Sequence, residues 1–227
     1  MKFALALISG LFFVAPVLAQ TVEVAPGVYV TKKTYDAPVN EQPFFGFADK
    51  SPAMLEADEK FKVGILKLAG TRERALDETI KRGWEFVFAG DWVNAGRRFN
   101  QAYLIEPGDS AVFHGFAVLA HGRFKDSAYA DELFNFAMVR PNPSKNLRAD
   151  YGRFLLIVGR PKDARPVLEQ AVNDAPGFSS AWSNLAFARL QTGDAKGACD
   201  AAVEAEVRNP ADNIKSDLNI LRQAAKC

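Results

Sequence analysis

Four prolines recur at an almost constant interval, and this spacing constrains the fold more than any other feature of the chain. Pro107, Pro141, Pro176 and Pro210 are separated by 34, 35 and 34 residues. A repeat period of roughly 20–50 residues is typical of solenoids and related arrays, in which each unit buries its apolar face against the next. Because proline cannot continue a helix, each of these residues marks the end of a unit.

Residues of similar types precede three of these prolines at matching distances. Small and larger apolar residues flank a short turn that contains glycine, a residue that readily adopts the left-handed backbone at the end of a helix. Each unit is therefore predicted to consist of two helices that approach closely at the small residues. The matching residues are Gly83, Phe86, Gly90–Trp92, Ala95, Phe99 and Ala102; Gly152, Leu155, Gly159–Pro161, Ala164, Leu168 and Ala171; and Trp182, Leu185, Ala186, Gly193–Ala195, Ala198, Ala202 and Ala205.

This pattern resembles the tetratricopeptide repeat (TPR) family over residues 76–210. The resemblance implies an all-α fold, a right-handed helical-hairpin solenoid of about four units. Such arrays need terminal helices that cover the apolar face of the last unit. Residues 51–75, which begin with the helix-start pair Ser51–Pro52, are predicted to form the N-terminal capping helix, and residues 211–227 the C-terminal one.

The second unit fits the period least well. Its turn at Gly122–Phe124 comes early, and the apolar residues of its second helix come about three positions late. A longer turn near Phe124–Ser127 would restore the spacing, and the second helix must end by Arg140 because Pro141 follows. The register of this unit stays open.

Residues 20–50 precede the predicted helices and have a different character. Four valines alternate around Pro26–Gly27, which predicts two short strands joined by a tight turn. The aromatic segment Phe44–Phe47 has two interpretations: it packs on the surface of the solenoid, or it binds a partner or occludes the groove.

The first nineteen residues have the features of a cleaved secretory signal peptide. Lys2 precedes the apolar run Phe3–Ala15, and Ala19 stands where a signal peptidase would cut. The run is shorter than the ~20 residues that a membrane-spanning helix needs, although an uncleaved anchor is the alternative. We expect a mature chain without a membrane span, exported to the periplasm of a Gram-negative bacterium, because the signal is short and the mature chain has no Asn-x-Ser/Thr glycosylation pattern in which x is not Pro.

Composition and motifs argue against catalysis. With 28 basic and 27 acidic residues the chain is nearly neutral, so it offers no basic surface for nucleic acid. It contains none of the usual short motifs for zinc proteases, redox dithiols, serine hydrolases or phosphate binding. Its two histidines, His114 and His121, lack further ligands at a metal-binding spacing. We expect no enzyme activity, no cofactor and no metal.

The two cysteines, Cys199 and Cys227, are expected to lie near each other on the last two, antiparallel helices. In an oxidising compartment this arrangement favours a disulfide. Two free thiols, or a bond from Cys227 to another chain, are the alternatives.

TPR proteins mostly bind proteins or peptides along the concave face formed by the first helix of each unit. By repeat position, the resemblance implies a groove that includes Asp77, Ile80, Trp84, Val87, Phe88, His114, His121, Arg153, Phe187 and Gln191. Asn146, Ala149, Leu156, Ile157, Ser180, Ser183 and Leu190 belong to the same face. Trp84 is the strongest candidate for an anchor, unless the N-terminal helix or Phe44–Phe47 covers it.

Some TPR proteins grip a C-terminal carboxylate with lysine and asparagine at fixed positions of the groove. The corresponding positions here hold Ile80, Trp84, Asn146 and Asp150, so this clamp is not expected. The expected function is a non-catalytic exported scaffold or adaptor with a protein or peptide partner of unknown identity. The alternative is a passive structural component of a cell-envelope assembly that contacts its partners through its ends.

Overall fold

The computed structural model describes residues 20–227, so the predicted signal peptide at 1–19 lies outside the described residues. Most of this range is helical. A two-stranded hairpin comes first, with β1 at Thr21–Ala25 and β2 at Val28–Thr31. Ten α-helices follow: α1 Pro52–Ala69, α2 Arg72–Phe88, α3 Trp92–Ile105, α4 Ser110–Gly122, α5 Ser127–Val139, α6 Leu147–Ile157, α7 Pro161–Asp174, α8 Ser179–Gln191, α9 Ala195–Glu206 and α10 Asp212–Ala225.

Helices α2 to α9 form four stacked helical hairpins. The pairs are α2 with α3, α4 with α5, α6 with α7 and α8 with α9, and each pair packs on the next. The predicted all-α solenoid of about four units is therefore confirmed. Within residues 20–227, no helix has both the length and the apolar character needed to cross a membrane.

Glycines allow the helices to approach closely, and two of them, Gly83 and Gly152, are small residues that the repeat pattern predicted. Gly83 and Gly115 both face the ring of Phe99, and a Cβ atom at either position would lie 2.5 Å from that ring. Gly152 contacts Leu168 in the third unit in the same way. A larger residue at these positions would force the paired helices apart.

The turn inside the second unit differs from the other three. Gly90, Gly159 and Gly193 hold the left-handed position, with φ of 73°, 76° and 86°, in connections of three residues. In the second unit Lys125 takes this position, with φ of 58°, and the connection 123–126 has four residues. The longer turn expected from the sequence is present, and it restores the packing of α4 against α5.

The two terminal helices cover the array unequally. Helix α10 packs on α8 and α9, buries Ile214, Leu218 and Leu221, and is tied to α9 by a disulfide between Cys199 and Cys227. Helix α1 contacts α2 and α3, but none of its residues is buried. Helix α1 therefore covers the N-terminal end only partly.

The N-terminal hairpin lies on the second helices of the first two units. Val22 pairs with Val30 in the antiparallel ladder, as the alternating valines predicted. The hydroxyl of Tyr103 donates to the carbonyl of Val24 at 2.6 Å, and Glu132 accepts the N–H of Thr31 at 2.7 Å. These contacts fix the hairpin to α3 and α5.

Residues 32–50, which we call the strap, continue from the hairpin across α3 and α4. The ring of Phe44 is buried and lies 4.6 Å from that of Phe116 and 5.8 Å from that of Phe113. The backbone from Phe44 to Phe47 is left-handed throughout, with φ between 54° and 60°. The aromatic segment therefore packs on the array, the first of the two interpretations above.

Polar contacts fix the strap beside this aromatic contact. Asn100 accepts the N–H of Phe45 at 2.9 Å and donates to the carbonyl of Gln42 at 2.7 Å. The carboxylate of Glu41, 5 % exposed, accepts from Arg97 at 2.8 Å and from Arg123 at 2.5 Å. Because a buried carboxylate must be paired, this cluster holds the strap in one position.

Candidate partner-binding groove

A cavity of about 290 Å³ opens between the helices of the first three units. Four of the ten predicted groove residues line it: Trp84, Val87, His121 and Arg153. The other lining residues are Trp92, Val118, Gly122, Phe134, Asp150, Phe154 and Ile157. Most of these side chains are apolar, so the cavity suits an apolar side chain, with a few polar groups to orient it.

Trp84 forms one wall of the cavity and is fixed by its neighbours. Its ring lies 4.7 Å from that of His114 and meets the ring of Phe99 edge to face at 5.8 Å. No residue of α1 or of the strap is among the lining residues, so neither segment closes the cavity over Trp84. Phe88, one turn further along α2, is 83 % exposed beside it.

His114 lies beneath the surface of the groove, which differs from the sequence-based expectation. Only 2 % of the residue is exposed, because α4 packs against α2, α3 and α5 and buries most of its length. Its Nε2 atom lies 3.1 Å from Oδ2 of Asp150 but is not aligned for a hydrogen bond. His114 thus supports Trp84 and Asp150 from below and cannot contact a partner directly.

His121 lies on the cavity wall and pairs with Ser127, whose Oγ is 3.1 Å from its Nδ1. Burial, and to a smaller extent the charge of Lys125, lowers the pKa of His121, which favours the neutral ring near pH 7. His114 and His121 do not come together as a metal site. In the part of the chain that the structure describes, no group of three His, Cys, Asp or Glu side chains could hold a metal ion.

Asp150 and Arg153 supply the charged groups of the cavity. The Asp150 side chain is 36 % exposed, and Arg153 is exposed without an ion pair among residues 20–227. Ile157, 60 % exposed, adds an apolar edge on the same helix. These side chains offer a hydrogen-bond acceptor, a donor and an apolar contact within one cavity.

Ile157, which repeat position also assigned to this face, lines the cavity, whereas the remaining residues of the predicted groove lie outside it. Asp77 is exposed, Ile80 is half-buried against the core, and Phe88 is exposed near the rim. Phe187 and Gln191 belong to α8 of the fourth unit and are not among the lining residues.

The sequence-based prediction missed the aromatic residues Trp92, Phe134 and Phe154. A signal existed for Trp92, because Pro161 and Ala195 stand at the same repeat position in the third and fourth units. A large aromatic residue where the other units have a small one indicates a local contact that the repeat itself does not require.

Solved structures of TPR proteins match the fold. PilF of Pseudomonas aeruginosa superposes with a TM-score of 0.58 and 21 % identity over 68 % of this chain and 73 % of that one. MamA, from residue 41 to its end, from Desulfovibrio magneticus RS-1 gives a TM-score of 0.50 and 20 % identity over 66 % and 89 %. YrrB, a TPR protein with an unusual peptide-binding site, gives 0.49 and 14 % over 68 % and 84 %.

No protein-family model matches the chain, and no curated protein matches it. At identities near 20 %, the likeness to PilF and MamA concerns the fold.

Proposed function

We propose that this chain, which has the fold of TPR proteins, is a non-catalytic exported scaffold or adaptor that binds a protein or peptide segment in its groove. The observation that carries the proposal is the open apolar cavity beside Trp84, which neither α1 nor the strap lines. Burial of one Leu or Phe side chain of a partner there would contribute about 1.5–3 kcal/mol. An aromatic wall in a cavity that a bound partner would shield from water is typical of an interaction hot spot.

Export is supported by two independent features. The first nineteen residues have the pattern of a signal peptide, and the Cys199–Cys227 disulfide suits an oxidising compartment such as the periplasm.

The matched variants Ile157→Asp and Ile220→Asp test the groove. Both isoleucines are 60 % exposed, so neither substitution disturbs the core, but only Ile157 lines the cavity. The tagged mature protein and the two variants are crosslinked in cells, and the captured proteins are identified by mass spectrometry. We expect one partner that the wild type and Ile220→Asp capture and Ile157→Asp does not.

Other outcomes contradict this proposal. Equal capture by all three proteins would exclude the groove as the binding site. If Ile220→Asp loses the partner and Ile157→Asp still captures it, the alternative is favoured, in which the protein is a structural component that contacts its assembly through its end. Trp84→Ala is a weaker test because the substitution also removes packing against Phe99 and His114.

A further inference from the structure

A second, larger cavity of about 480 Å³ lies between α1 and α2. Phe61, Ile65 and Leu68 of α1 and Phe86 of α2 form its apolar surface. Leu68 is 83 % exposed, and no residue of α1 is buried. The two helices therefore form a groove, here called the α1–α2 groove, whose apolar surface residues 20–227 cover only partly.

The charged residues that line the α1–α2 groove are mostly basic. The lining includes three arginines, Arg74 and Arg82 of α2 and Arg98 of α3, but only one carboxylate, that of Glu78. Among residues 20–227, Arg74 and Arg98 form no ion pair, although Arg98 donates to Gln101 at 2.8 Å. Arg82 forms an ion pair with the exposed Glu85 at 3.3 Å. A partner that carries carboxylates beside apolar side chains would complement both features of this surface.

The spacing of these charges fits a helix better than a single anionic group. Arg74 and Arg82 are eight residues apart on α2, which places them about 12 Å apart along the helix axis. Glu78 lies midway between them and would repel an anion held at the centre. Carboxylates spaced along a helix would reach both arginines, while the apolar face of that helix fills the groove.

We propose that the α1–α2 groove binds an acidic amphipathic helix of a partner protein. This surface is distinct from the cavity beside Trp84, because the two share no lining residue. The chain would thus hold two partners, or two segments of one partner, at separate places.

The test uses the whole mature protein and two fluorescein-labelled model peptides of about 18 residues, roughly five helical turns. One peptide has leucines on one face, flanked by glutamates, and its twin has lysines in place of the glutamates. Binding is measured by fluorescence anisotropy. We expect the glutamate peptide to bind and the lysine twin to bind at least about tenfold more weakly, because like charges repel.

Charge reversal in the protein locates the peptide. Arg74→Glu and Arg98→Glu should each weaken binding about tenfold, and so should Leu68→Asp, whose exposed side chain can change without unfolding the protein. Arg153→Glu is the matched control, since Arg153 is also exposed and unpaired among the described residues but lines the other cavity. This control should leave the affinity unchanged.

Three results would overturn the proposal. They are failure of the glutamate peptide to bind, equal binding of the twin peptides, and loss of binding in Arg153→Glu rather than in Arg74→Glu. Vesicles that contain phosphatidylglycerol test an anionic lipid surface instead. The decisive outcome would be that the protein sediments with these vesicles, that Arg74→Glu abolishes this sedimentation, and that the glutamate peptide does not bind. The ligand of the groove would then be an anionic membrane and not a helix.

Discussion

The two ends of the array are closed by different means. At the C-terminal end, the 14-residue helix α10 buries Ile214, Leu218 and Leu221, and a disulfide ties the chain terminus to α9. At the N-terminal end, α1 is longer, at 18 residues, but buries none of them. Helix length alone therefore does not close a solenoid, because closure depends on apolar side chains that reach the core of the last unit.

The strap is a second attachment on the N-terminal side, where it crosses α3 and α4. Phe44 is buried among aromatic rings of α3 and α4, and Glu41 pairs with Arg97 and Arg123. Its attachment combines an aromatic contact with buried polar contacts, whereas the attachment of α10 is mainly apolar and covalent. The two ends should therefore respond differently to substitution, to reductant and to pH.

Truncation of a leucine should give the largest contrast between the two terminal helices. Leu218→Ala should lower the free energy of unfolding by about 3 kcal/mol, because Leu218 is fully buried. The control Leu68→Ala, at an 83 % exposed position on α1, should lower it by less than about 0.5 kcal/mol. Urea unfolding followed by circular dichroism measures both, and equal losses would show that α1 closes its end as firmly as α10.

Removal of the disulfide should have the next largest effect. The bond joins residues 28 apart, so replacing both cysteines by serine should cost about 3 kcal/mol, through the greater freedom of the unfolded chain. Thermal unfolding of the variant, and of the wild type with reductant, measures the loss. If reductant leaves the wild type unchanged while the serine variant is destabilised, the loss comes from packing and not from the crosslink.

Loss of the Glu41 charge should destabilise the N-terminal side by about 2 kcal/mol near pH 7, because two arginines lose their charged acceptor. Glu56→Gln, on the exposed face of α1, is the matched control and should have almost no effect. Urea unfolding at neutral pH compares Glu41→Gln with this control.

The effect of Glu41 should also depend on pH. Its hydrogen bond with Arg123, more than any other contact, holds the pKa of Glu41 below the ordinary value of 4.5, against the opposing effect of burial. A carboxyl whose pKa is lowered on folding stabilises the protein above its ordinary pKa, and this contribution is lost as the pH falls through the lowered value. The difference between wild type and Glu41→Gln should therefore be constant above about pH 5 and shrink in acid. A difference that does not change with pH would mean that Glu41 acts through packing alone.

The repeat and the disulfide could be predicted from the sequence because both depend on spacing. Glycines and prolines recur at one period, and the fold follows from it. The groove could be predicted in part: Trp84, Val87, His121 and Arg153 line the cavity as repeat position implied, but His114 does not, because burial of α4 places it below the surface.

The strap could not be predicted in this way. Phe44, Phe45 and Phe47 adopt positive φ, which residues other than glycine rarely do, and no local pattern indicates such a turn. The turn is held by contacts distant in sequence, such as the bond from the N–H of Phe45 to Asn100, 55 residues away. Only the assembled array supplies those partners.

The strap has a consequence for the order in which the protein folds. The N–H of Thr31, just before the strap, and the hydroxyl of Tyr35 donate to side chains 101 and 91 residues further along the chain. The units themselves need only contacts within a hairpin or between neighbours, which form quickly. The strap is synthesised before α3, α4 and α5 and must wait for them before it can dock, so its phenylalanines stay uncovered until then.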